Sequence, residues 1–235
     1  LVKAALLALA FAALSGAANA DCRLALALGL DVSGSVDSAE HAMQRRGLAG
    51  ALRHPEITAL LTATGQPPVE LMVYEWSGPD SARPILAWTR IDNAARLFAI
   101  ATRIESAPRR AISPSTALGA AMGFGTAALA SRDCWQRILD ISGDGKSNTG
   151  PRPAPLRAAA ISAGVTINAL VIGADAPVAG DTRFVEIGEL VAYFQANVIA
   201  GPDAFVESAL GFADYEAAMV RKLKRELEGM VISRR

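Results

Sequence analysis

The chain has 235 residues, 51% of them hydrophobic, with 23 basic residues against 23 acidic ones. That length and apolar content can bury one large core, so a single domain is the expectation. Zero formal net charge argues against nucleic acid or an anionic membrane surface as a partner, and the terminal Arg234-Arg235 reads as a frayed, solvated end.

Residues 1–20 differ in kind. Lys3 precedes a small-residue, apolar stretch from Ala4 to Leu14, and Ala18-Asn19-Ala20 follows. A positive end, an apolar segment and an A-x-A site make a secretory signal, with cleavage expected between Ala20 and Asp21. The stretch is shorter than the roughly 20 apolar residues of a membrane span, so no transmembrane segment is expected in the mature chain. Asp21, where a lipoprotein would carry a small residue before Cys22, argues against lipidation. The expectation is a periplasmic or secreted domain over residues 21–230.

The mature chain opens on Leu24–Leu30, an apolar run that reads as a buried strand. Val36–Arg53 reads as a helix capped by Ser35 or Asp37, and Glu56–Thr62 as a short second one. Val69–Trp76 is a strand, and Ser77-Gly78-Pro79-Asp80 turns it into Pro84–Thr89, a hairpin with an antiparallel edge strand. Helices follow at Asn93–Ser106 and Thr116–Ser131, then a strand at Gln136–Ser142. The chain continues with helix Pro153–Ala163, strand Val165–Ile172, helix Glu186–Gln195, a short strand Asn197–Ala200 and a last amphipathic helix, Phe212–Glu228. Strands alternating with such helices predict a doubly wound α/β fold: a mostly parallel six-stranded sheet with one antiparallel edge strand and helices on both faces.

Export makes the two cysteines interpretable. Cys22 and Cys134 each precede an apolar strand. If those strands are parallel neighbours about 4.8 Å apart, the two lie within disulfide reach; the alternative is a pair of buried thiols.

The chemistry gathers at strand ends. Asp31-Val32-Ser33-Gly34-Ser35 sets a carboxylate and two hydroxyls at alternate positions where the first strand enters a Gly-bearing loop. Hard oxygens of this kind suit Mg²⁺, although Ser and Asp at a strand-to-helix turn also serve as plain helix caps. Ser113-Pro114-Ser115-Thr116 places a hydroxyl at the start of a helix, and Asp144 leaves the strand Gln136–Ser142 between Gly143 and Gly145.

These segments resemble von Willebrand factor A domains. The first looks like their D-x-S-x-S motif, Thr116 matches the separate threonine of their metal-ion-dependent adhesion site, and Asp144 matches the aspartate ending their fourth strand. The likeness covers essentially the whole mature chain and extends to an uncharacterised group of exported proteobacterial proteins of this type, which share Glu75-Trp76-Ser77-Gly78, Asp140-Ile141-Ser142-Gly143-Asp144-Gly145 and an ending similar to Gly201-Pro202-Asp203-Ala204-Phe205-Val206. The resemblance implies that Ser33, Ser35 and, with ligand bound, Thr116 hold Mg²⁺ or Mn²⁺. Asp31 and Asp144 would act largely through waters. It further implies a binding module that captures an Asp or Glu of a partner protein. Ser115 replaces the usual glycine before the threonine and Gly143 the usual threonine before the aspartate; neither removes a ligand.

Other readings are weaker. Asp31 with Gly143-Asp144-Gly145 is similar to the aspartate and G-D pair of haloacid-dehalogenase phosphatases, but Ser33 stands where their second aspartate is needed. Gly145-Lys146-Ser147 lacks the first glycine of a phosphate-binding loop. There is no G-x-S-x-G elbow, and the only histidines, His41 and His54, read as solvated helix surface. A structural or assembly role in the cell envelope, using the fold without metal, is the alternative function. Glu75, Arg109 and Arg110 are candidates for the rim of the ligand face, the arginines otherwise being a solvated loop pair and Trp76 core. Asp140 reads as a buried carboxylate satisfied by backbone or an arginine, or as support for the site. Phe205, Leu210, Phe212, Tyr215 and Met219 read as packing.

Overall fold

A computed structural model describes residues 22–110, 113–173 and 183–232; the expected signal segment and its cleavage site lie outside the described residues. The first strand, β1 (Cys22–Asp31), is buried along its whole length with no polar alternation. Such a pattern belongs to a parallel strand covered on both faces. Around it the chain forms α1 (Ser38–Arg53), α2 (Pro55–Leu61), β2 (Val69–Trp76), β3 (Arg83–Ile91), α3 (Ala94–Glu105), α4 (Leu118–Ala130), β4 (Cys134–Gly143), α5 (Pro153–Ser162), β5 (Thr166–Ile172), α6 (Arg183–Asn197), β6 (Val206–Ala209) and α7 (Tyr215–Ile232).

The sheet order is β3-β2-β1-β4-β5-β6, parallel except for β3, which pairs antiparallel with β2. The expected architecture therefore holds, with one correction. The sixth strand is Val206–Ala209, not Asn197–Ala200. The β-branched run at 197–200 misled because Asn197 still belongs to α6 and Val198 donates back to Phe194. Ala200 makes only an isolated antiparallel bridge to Ile167 before Gly201, at φ 96°, turns the chain.

Two cores follow from the pleat of β1. Leu24, Leu26, Leu28 and Leu30 face α1, α2, α3 and α7, each completely buried leucine contributing roughly 2 kcal/mol of transfer free energy. The other face, Ala25, Ala27 and Gly29, is small because it must admit Tyr74. A side chain at Gly29 would lie 2.6 Å from that ring. Tyr74 in turn donates its hydroxyl to the carbonyl of Ala121 at 2.9 Å, fixing α4 over the sheet.

Cys22 and Cys134 are register partners at the amino ends of β1 and β4, with Cα atoms 4.7 Å apart, and are joined in a disulfide. Among the described residues no helix is long and apolar enough to cross a membrane.

Candidate metal centre

The strand order reverses between β1 and β4, and open α/β sheets bind ligands outside the carboxyl ends of the strands at such a switch point. β1 ends there at Asp31 and β4 at Gly143. The loop after β1 is shaped by its own side chains. Asp31 Oδ1 accepts from Ser33 N at 2.8 Å, and Val36 N donates to Ser33 O at 3.1 Å. Asp37 then starts α1 through a capping box with Glu40. This local order fixes Ser33 and Ser35 side by side, their hydroxyls 3.2 Å apart.

The other two segments meet them. Ser35 Oγ donates to Asp144 Oδ1 at 2.8 Å, and Thr116 Oγ1 donates to Ser33 Oγ at 3.3 Å. Asp31, Ser33 and Thr116 form a buried floor, Ser35 is exposed, and Asp144 is half-buried, so the cluster opens to solvent on one side. Gly34 allows the close approach: its N–H donates to Pro114 O at 3.1 Å, and a Cβ there would stand 2.8 Å from that oxygen.

Burial pushes the Asp31 carboxyl up to about 8, the negative charge of Asp144 adding to the effect and the Ser33 N–H opposing it. Burial raises Asp144 as well, against the hydrogen bond from Ser35. Asp31 Oδ2 is buried with no hydrogen-bond partner among the described residues, and it faces the space that a side chain at Gly143 would take, 3.4 Å from that Cβ position. Two carboxylates and three hydroxyls are an all-oxygen set suited to a hard divalent cation. A buried carboxyl oxygen without a hydrogen-bond partner beside them fits a site that such a cation would complete.

Two residues that sequence reasoning missed hold the Thr116 loop. Ser77 takes Ala117 N on its carbonyl at 2.7 Å and Ser113 N on its hydroxyl at 3.2 Å. Asn148 exchanges two hydrogen bonds with the backbone of Thr116, each 2.9 Å. Both act between loops distant in sequence, so no local pattern signals them.

The rim candidates separate. Glu75 is 6% exposed and turned under α1, where its Oε1 meets His41 Nε2 at 2.6 Å. His41 is thus buried, not solvated, because α1 lays that face on β2. Trp76, on the opposite face of the same strand, is core. Arg109 clamps the start of α1, donating to Val36 O at 2.7 Å and Ser38 Oγ at 3.0 Å, while Arg110 is exposed. Cys22, Cys134 and Glu70 also cluster, but the two sulfurs are bonded to each other.

The architecture is a von Willebrand factor A-like α/β fold. It resembles proximal thread matrix protein 1 of the mussel byssus, solved with a zinc-occupied MIDAS motif, at 17% identity and TM-score 0.61 over 89% of this chain and 48% of that one. The pilus adhesin SpaC of Lactobacillus rhamnosus GG gives 16% identity and TM-score 0.62 over 89% of this chain and 31% of that one. The vWF domain of the type V pili tip protein Mfa5 of Porphyromonas gingivalis gives 10% and 0.58 over 89% of this chain and 97% of that one. The chain spans about half of the mussel protein and under a third of SpaC. The likeness at such identities is one of fold. By sequence the chain belongs to DUF1194, a family of proteins of unknown function whose model matches residues 21–231. No curated protein sequence matches it.

Proposed function

We propose that this chain is an exported binding module that uses a divalent cation, Mg²⁺ or Mn²⁺, to capture an Asp or Glu side chain of a partner protein. The observation that carries the reading is the convergence of three hydroxyls and two carboxylates from three separate segments on one solvent-open point. Ser33, Ser35 and Thr116 would hold the ion, with Asp31 and Asp144 holding its waters and orienting the hydroxyls. A hard cation held mostly by neutral hydroxyls supplies an electrophilic position for an incoming carboxylate.

Solved relatives add a supporting precedent: one holds zinc in its MIDAS motif and another is a pilus adhesin. The disulfide supports an oxidising compartment, hence export. Isothermal titration with Mg²⁺ and Mn²⁺ tests the proposal. Binding lost in Asp31→Ala and Asp144→Ala is expected. Absence of binding by either ion would leave the metal-free structural role in the envelope, and hydrolysis of p-nitrophenyl phosphate would point to an enzyme. Pull-down from envelope extract, with and without a chelator, tests the partner.

A further inference from the structure

Away from the cation cluster, α7 buries a lysine against two acids. Lys222 is 0% exposed, and its Nζ contacts Asp140 Oδ1 of β4 and lies 2.5 Å from Glu226 Oε1, one helical turn further on. Asp140 and Glu226 are 1% and 6% exposed. Glu226 Oε1 also accepts from Asn168 Nδ2 at 2.7 Å, and the Phe205 ring lies 5.5 Å from Nζ. Asp140 Oδ2 and Glu226 Oε2 are buried with no hydrogen-bond partner among the described residues. Two carboxylates against one ammonium leave a net negative charge and two unpaired oxygens in a core, an arrangement with a heavy desolvation cost.

We propose that Lys222 and Asp140 condense into a side-chain amide that ties α7 to β4, with Glu226 transferring the proton. Burial lowers the proton affinity of the Lys222 amine, against the opposing pull of Glu226. A proton passes from the ammonium to the Asp140 carboxylate, giving an amine beside a carboxylic acid. The nitrogen lone pair attacks Cγ of Asp140 and a C–N bond forms. Glu226 Oε1, in contact with Nζ, takes a proton from the nitrogen and returns it to the departing hydroxyl. The C–O bond breaks and one water leaves; nothing is oxidised or reduced.

The product removes one pair of opposite charges from the core. Glu226 Oε1 keeps its hydrogen bond from Asn168 Nδ2 and gains the new amide N–H as a donor. A cleft of about 1000 Å³, lined in part by Asn168, Phe205 and Glu226, lies on the Glu226 side of the pair, the side toward which the water would leave. The link does not depend on the cation reading.

Intact mass spectrometry of the purified full chain, with its disulfide reduced, tests the link. The mass is expected to be one water below that calculated from the observed N-terminus, and digestion should release a branched peptide joining the β4 and α7 segments. Lys222→Ala and Glu226→Gln should both restore the full mass, the second while leaving Lys222 in place. Full mass in the unaltered chain overturns the proposal, and it decides the question even if Lys222→Ala fails to fold. Loss of ammonia in place of water overturns Asp140 as the acceptor, and water loss persisting in Glu226→Gln overturns the role of Glu226.

Discussion

Ser35 and Asp144, 109 residues apart in sequence, are joined by a hydroxyl-to-carboxylate hydrogen bond of 2.8 Å across the switch point of the sheet. The bond links the loop after β1 to the end of β4, so one carboxylate both orients a hydroxyl and supplies negative charge at the mouth of the cluster. Replacing Asp144 with Asn keeps the shape and removes the charge. Hydrogen bonds to charged groups contribute about 1.5–3 kcal/mol, so Asp144→Asn should weaken Mg²⁺ binding by about tenfold or more in calorimetric titration. Asp144 is half-buried. The asparagine oxygen can still accept from Ser35 Oγ, so Asp144→Asn should change unfolding stability by less than about 1 kcal/mol.

The Asp31 carboxyl gives a pH dependence of definite sign. It is raised to about 8 in the folded chain, against about 3.9 for an unfolded aspartate. Between those values the folded chain keeps a proton that the unfolded chain has released, so metal-free stability falls as pH rises through the window. A cation competes with that proton, so its affinity rises with pH by up to about tenfold per unit. Melting in chelator should therefore occur at lower temperature near about pH 8 than near about pH 5, with excess Mg²⁺ narrowing the gap. Asp31→Asn should flatten the chelator profile; an unchanged slope in that variant would assign the dependence to other groups.

Much of this fold is legible in the sequence because β1 carries an unbroken apolar run and the oxygen-bearing residues sit at strand ends, where periodicity changes. Partners that meet across elements are harder to read. Lys222 lies among charged neighbours on α7 and looks like solvated surface, yet it is buried and contacts one oxygen of Asp140, for which the sequence predicts a backbone or arginine partner. His41 reads as surface on a polar helix, and only the docking of α1 on β2 shows that it faces Glu75. Ser77 and Asn148 matter through backbone groups in other loops, which no spacing rule encodes.

Gly34 controls how closely the Thr116 segment approaches. An alanine there would place Cβ 2.8 Å from Pro114 O and 3.0 Å from Pro114 Cα, so backbone must shift. Overpacking of this kind costs about 1–3 kcal/mol, and the shift carries Thr116 away from Ser33. Gly34→Ala should lower both melting temperature and cation affinity. Gly145→Ala, where a Cβ meets nothing within 4 Å, is the matched control and should change neither.

The disulfide joins the amino ends of the two central strands, the end of the sheet opposite the cluster, and closes a span of 112 residues. In the chain-entropy model a loop of that length is worth about 4–5 kcal/mol. Cys134→Ser, which removes the bridge, should lower urea-unfolding stability by up to that amount. Once the variant is folded, calorimetric Mg²⁺ affinity should match that of the oxidised chain, because the bridge touches none of the oxygen-bearing residues.

His41 and Glu75 form a pair at 2.6 Å with side chains 1% and 7% exposed. Glu75 is the register partner of Leu30, one residue before Asp31, so the pair supports the end of β1 from beneath α1 without touching the cluster. Truncating His41 to alanine leaves a buried carboxylate without this partner and a void under α1. The two effects together should cost about 3 kcal/mol or more. Glu75→Ala should cost comparably, and the double variant less than the sum, because each single change strands the other group. Denaturant unfolding of the three variants measures this. A coupling of about 1–3 kcal/mol is expected, and strict additivity would show that burial of each side chain, not their contact, sets the stability of this edge.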